Sequence, residues 1–397
     1  MIYLAILILP LLGTTIIEPI VMTNSVTNAK EVFALLFCLA IITSDKHGDK
    51  MSCCWKDPVA WLFAYIPVSM MLAPPVKLMM GFENLGGLWM WKAFAWACVY
   101  FMVYRSILAY QFLDTTKMVK MISLAAILSA GYGLLQLAGL DQFQITRGME
   151  AIGSPKHPEM TAFIGNSTML AAFLAICLPF VLNSCWHWAL KSLPFAAIMA
   201  TGSDTGAVGL GMALAFFMGF KSRLWRNCVI LGIAVAVIGC GYHLYKHPES
   251  GNGRYQVWQQ AIEDWHSAPM TAKITDSMTP GDRAEIEQLN KRTYPITGLG
   301  IGSWRFWFVN KHQSKFDSAH NEYIETLYSL GIIGLVLLLW MAGSVLWGCN
   351  LRDPFFQSFA IICFCCATLP ILHQEPFRFF AVIIFSICVF LRSSSRR

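Results

Sequence analysis

The chain has 397 residues, of which 56% are hydrophobic and only 13% charged. A soluble domain carries about 25% charged residues, so this composition excludes a water-soluble globular protein and points to an all-α, polytopic integral membrane protein. The net charge of +6 reports orientation in a bilayer before it reports partners, and nucleic acid is not among the partners expected.

Taken in chain order, the apolar runs predict about twelve transmembrane helices, each near the ~20 residues that a bilayer core needs. They cover 2–22, 31–44, 57–74, 88–108, 122–140, 167–185, 187–202, 206–220, 228–244, 322–347, 355–372 and 377–391. The first run lacks a basic start and a small-residue cleavage site, so it reads as a spanning helix and not as a removable signal. Short basic loops set the sidedness. Lys46, Lys50 and Lys56 share one loop, Lys117 and Lys120 another, Lys221, Arg223 and Arg226 a third, and the tail ends RSSSRR. With both termini cytoplasmic, all of these fall on the cytoplasmic face. The long polar loops 141–166 and 245–321 then lie outside, with Ser203, Asp204 and the His373-Gln374-Glu375 turn. Three regions follow: a helix bundle over 1–244, an outer loop region with short helices over 245–321, and C-terminal spans over 322–397. None of the 13 cysteines falls in the two long polar loops. They read as free thiols behaving as small hydrophobes, and no paired C-x-x-C suggests a zinc site.

Chemistry-capable residues gather on the outer side. Loop 141–166 is rich in Gly and Pro and carries Arg147, Lys156 and His157. Within 253–265, "GRYQVWQQAIEDW", Gln256, Gln259, Gln260 and Glu263 alternate with Val257, Ala261, Ile262 and Trp265 at helical spacing. This predicts an amphipathic helix lying on the membrane and opened by Arg254. Arg254 reads either as an interfacial anchor or as an anion ligand, and as a lone residue Arg147 reads more readily as an anchor. Residues 296–308, "ITGLGIGSWRFWF", place glycines at 298, 300 and 302, where backbone can approach a ligand closely, with Trp304 and Trp307 expected at headgroup level. No strand-turn-helix unit surrounds them, so they are not a dinucleotide fingerprint. Residues 318–335, "SAHNEYIETLYSLGIIGL", set a histidine and two carboxylates at the mouth of a span. If the helix starts at Asn321, then His320, Tyr323 or Ile324, and Leu327 share one face, and Asn321, Glu325 and Tyr328 follow the adjacent one. A neutral imidazole there can take a proton from a hydroxyl; alone, the histidine would read as an interfacial residue without chemistry.

Taken together, the order Arg254-x3-Trp258, Gly298-x-Gly300-x-Gly302, Ala319-His320-Asn321-x-Tyr323, Leu327 and Gly331-x2-Gly334-Leu335 resembles the O-antigen ligase and polymerase superfamily. "FIGNSTMLAAFLAICLPF" and "MATGSDTGAVGLG" are similar to two further family segments, so the resemblance covers roughly residues 145–340. It departs from the pattern at Asp204, where Arg is usual, and at Ser329, where Glu is usual.

The resemblance implies a multi-span fold of the GT-C-like kind with a large periplasmic loop, in the bacterial inner membrane. It implies a metal-independent, inverting glycosyltransferase without a cofactor. The donor is a glycan on undecaprenyl diphosphate, and the acceptor is a lipid A core sugar in ligases or another lipid-linked glycan in polymerases; some relatives use a protein hydroxyl. His320 is then the catalytic base, and Arg254, with Arg147 and Arg305 behind it, meets the diphosphate, which guanidinium suits better than ammonium. Asn321, Tyr323, Trp258, Gly300 and Trp304 are the expected substrate contacts. Ligase is preferred over polymerase on the HNEY and GLGIGSW segments. Two other classes compete: a flippase or transporter, which would place charge within its spans, and an inactive relative, favoured only by Asp204 and Ser329.

Overall fold

A computed structural model describes residues 2–3, 7, 26–43, 57–72, 85–109, 114–140, 160, 162, 164, 167–219, 254–267, 296–301, 303–304, 308, 319–347, 349–350, 352–369 and 375–394. Among them are eleven helices and no strand: α1 Val26–Thr43, α2 Pro58–Leu72, α3 Leu85–Ala109, α4 Thr115–Leu137, α5 Ser167–Asn183, α6 Trp188–Ala200, α7 Asp204–Gly219, α8 Arg254–Ser267, α9 Glu322–Leu346, α10 Pro354–Cys366 and α11 Glu375–Ser394. Two of them, α4 and α9, are long and apolar enough to cross a membrane, and α5, α6, α7 and α10 are shorter apolar helices. The expected span at 228–244 lies outside the described residues, as does the span at 2–22 apart from Ile2, Tyr3 and Leu7.

The chain divides into two compact units, each assembled from separated stretches. One comprises Met1–Met51, Met102–Ala234 and Val345–Arg397; the other comprises Ser52–Phe101 and Val235–Ser344.

In the first unit α5 is the hub. All residues from Met169 to Leu182 are buried, and α4, α6, α7 and α10 pack around it. Its ends and neighbours follow local rules. Asp114 caps α4 by accepting from Lys117 N at 3.0 Å. Ser203 opens α7 by accepting from Gly206 N at 3.2 Å, and Asp353 opens α10 by accepting from Phe355 N at 2.9 Å, each satisfying an N–H that the helix cannot. Asp204 is exposed as the first residue of α7, where a carboxylate complements the helix dipole.

Small residues set the α5–α7 spacing. A Cβ on Gly206 would stand 2.5 Å from the Ala171 Cβ, and one on Gly209 would stand 2.7 Å from the Ala175 Cβ. Small residues in this repeat let helix backbones close up where lipid supplies no hydrophobic drive. Gly209→Leu should therefore lower the thermal midpoint of the purified protein, at an overpacking cost of about 1–3 kcal/mol. Gly211→Leu, on the same helix at an exposed position with no atom within 4 Å of its Cβ, should leave it unchanged. Equal shifts for the two would contradict this packing.

Candidate functional site

The second unit holds α8, the glycine segment and the first half of α9, and the chemistry-bearing residues converge there. α8 turns Val257, Ala261 and Asp264 inward, with Asp264 only 6% exposed. Gln256, Gln259, Gln260, Ile262 and Glu263 are outside. The 257, 261, 264 spacing is one helical face, so the predicted amphipathic helix forms, with Ile262 on its polar side. Val257 and Ala261 join Leu299, Trp304, Phe308, Ala319 and Tyr328 in one buried cluster, with Trp258 and Ile324 packed against it. The Trp304 ring stacks on Phe308 at 4.2 Å and meets Tyr328 edge-on at 5.2 Å. At 1% exposure Trp304 is packed into the core of this unit, between Phe308 on its own segment and Tyr328 from α9.

The two halves of the constellation are tied directly. Trp258 Nε1 donates to the Ala319 carbonyl at 2.6 Å, so the bond lies one helical turn from Arg254 and one residue from His320. Ala319 N donates to Glu325 Oε2 at 3.1 Å, and Asn321 Oδ1 accepts from Tyr323 N at 3.0 Å and Ile324 N at 3.1 Å. Asn321 is thus the N-cap of α9, and Glu325 reaches back from the first turn to hold the chain before it. Glu322 and Glu325, both buried, bring carboxylates to the favourable end of the helix dipole.

His320 sits between these fixed residues, half-buried, with φ of 51°. A left-handed conformation is uncommon for a residue other than glycine. It persists where the surroundings over-determine it, and such positions cluster at functional sites. Here the bond to Ala319 O on one side and the Asn321 cap on the other impose it. Arg254 is half-buried at the start of α8, and loss of solvent pushes its guanidinium below the ordinary arginine pKa. Arginine remains charged regardless, so an anion beside it would offset the cost of that burial.

The glycines act through backbone. α9 is broken at Gly331, whose φ of 65° and ψ of −169° are not helical. Leu299 N donates to Tyr328 O at 3.2 Å and Gly300 N to Ser329 O at 2.7 Å. A Cβ on Gly298 would meet the Ser329 carbonyl and Gly331 N. Gly300 therefore docks the segment onto the break. Ser329 faces Ser303, whose hydroxyl donates to its Oγ at 3.3 Å, both side chains being buried.

The structure thus brings Arg254, Trp258, Gly300, Trp304, His320, Asn321 and Tyr323 into one unit; Arg147 and Arg305 lie outside the described residues. Sequence reasoning gave no role to Glu325, which holds Ala319 N, and the asparagine directly before a helix was a legible capping signal. One comparison with known families bears on this region. Residues 189–339 match the O-antigen ligase family model. That is consistent with the O-antigen ligase and polymerase superfamily, whose members are glycosyltransferase-like enzymes of bacterial membranes acting on lipid-linked glycans. The matched segment runs from α6 into α9 and includes every described site residue named above. Among curated proteins no match to the chain was found.

Proposed function

We propose that this protein is an O-antigen ligase-type glycosyltransferase. It moves a glycan from undecaprenyl diphosphate to a lipid A core sugar at the periplasmic face of the inner membrane. The observation that carries the reading is the tie between Trp258 and Ala319, which joins the helix bearing Arg254 to the strained His320 inside the family-matched segment.

The donor's polyprenyl tail keeps its sugar–phosphate bond at the lipid surface, so the reacting groups must be held there. In the proposed step an acceptor hydroxyl attacks the anomeric carbon while His320 takes its proton. The C–O bond to phosphate breaks, and undecaprenyl diphosphate leaves with the electron pair. Arg254 meets the negative charge that builds on the leaving oxygens. A single displacement inverts the anomeric centre. No metal is required by this scheme, since the proton goes to imidazole and the charge to guanidinium.

The test is transfer in proteoliposomes with EDTA, combining purified protein, an undecaprenyl-diphosphate glycan and lipid A core. Appearance of core-linked glycan with inverted configuration supports the ligase reading. Elongated carrier-linked glycan with the core untouched would replace it with polymerase, glycan on protein with protein glycosylation, and flux without covalent product with transport.

A further inference from the structure

Three consecutive carbonyls end the first half of α9, and each is met from outside the helix. Tyr328 O and Ser329 O accept from Leu299 N and Gly300 N. Leu330 O accepts from the Tyr65 hydroxyl at 3.1 Å, with Thr297 O and Ile296 O at 3.3 and 3.5 Å from the same oxygen. Beyond the break, Ile333 N donates to Ile296 O at 3.4 Å. Carbonyls at a helix end need partners when little water reaches them, and Leu330 is 7% exposed. Two of the three donors are backbone groups of a single segment. The third is a side chain from α2, far away in sequence, and it touches that segment and the helix end at once.

We propose that Tyr65 is a positioning residue for His320. It pins the C-terminal end of the half-helix whose N-terminal end carries that histidine, and it rests on the glycosyl-transfer reading only for the chemistry affected. The half-helix is a lever. From Leu330 to His320 the axis runs ~15 Å, so a tilt of about 4° moves the imidazole about 1 Å. A displacement of that size costs about 10²-fold in rate when the displaced group reacts. Tyr65 does not touch the site; its hydroxyl holds the far end of the element that does.

The test compares wild type, Tyr65→Phe and Ser69→Ala as full-length chains in nanodiscs. Ser69 is a buried hydroxyl on the same helix, bonded within it to Ile66 O at 2.8 Å, so its removal controls for loss of any hydroxyl from α2. For Tyr65→Phe, amide hydrogen exchange over 322–330 should rise about tenfold, the worth of one such hydrogen bond. Exchange over α10 should stay unchanged. In the transfer assay kcat should fall about 10²-fold, while KM for the carrier-linked glycan stays within about twofold because the donor contacts remain. Ser69→Ala should match wild type in both. Unchanged exchange over 322–330, a rise spread evenly over the chain, or an unaltered kcat would each overturn the proposal. If wild type transfers nothing to any acceptor, the functional reading falls, while the exchange pattern still decides whether Tyr65 pins the half-helix.

Discussion

His320→Asn should retain the fold and lose transfer by about 10²–10⁴-fold, the range for removal of a general base. Asparagine is the informative substitution because of the backbone. His320 holds φ of 51°, and asparagine enters the left-handed region more readily than other residues with a side chain. The turn between Ala319 and the Asn321 cap should therefore survive, with its bonds to Trp258 and Glu325. Asparagine cannot take a proton near neutral pH, so the loss would report chemistry and not unfolding. The check is kcat in the proteoliposome assay alongside the thermal midpoint. Full activity with an intact fold would remove His320 from the proposed chemistry. A lowered midpoint with a matching loss of activity would make its role structural.

Gly331→Ala should strongly destabilise the protein. With φ of 65° and ψ of −169°, Gly331 lies in a region populated almost solely by glycine, and a side chain there costs about 1–3 kcal/mol in strain. Its Cβ would also run into the Ile296 carbonyl and Gly298 N, backbone atoms that cannot swing aside without undoing the pairing at the break. Gly343→Ala is the comparison. It lies in the regular, lipid-grade part of the same helix with nothing within 4 Å of its Cβ, and the change should be neutral or stabilising by up to about 1 kcal/mol. Thermal midpoints of the two variants should move in opposite directions, or only the first should move. If both leave the midpoint alone, the break at Gly331 is not a fixed feature of the fold.

These expectations depend on unequal parts of what could be read beforehand. Helix placement was largely legible. The apolar runs at 167–185 and 322–347 correspond to α5, Ser167–Asn183, and α9, Glu322–Leu346. A chain in lipid must satisfy its backbone internally, so a long apolar run leaves little choice but helix. The polar alternation from Arg254 likewise became α8, because a repeat near 3.6 residues commits one face to burial. The grouping of Arg254, Trp258, His320 and Tyr323 in one unit was foreshadowed by the order of their motifs along the chain.

Their roles within that group were not all visible. Asn321 caps α9 and Trp304 packs in the core, roles that the motif letters alone do not state. Burial depends on what packs above a residue, and neighbours such as Phe308 and Tyr328 come from separate segments. By itself, then, the amino-acid sequence determined where helices such as α5, α8 and α9 form, since periodicity and backbone satisfaction are local. Only the tertiary structure decided that α9 breaks at Gly331, that Gly298 and Gly300 serve the break, and that Tyr65, 265 residues from its partner Leu330, holds it. A broken helix is stable only if donors arrive for its freed carbonyls, and those donors come from chain that no local pattern brings near.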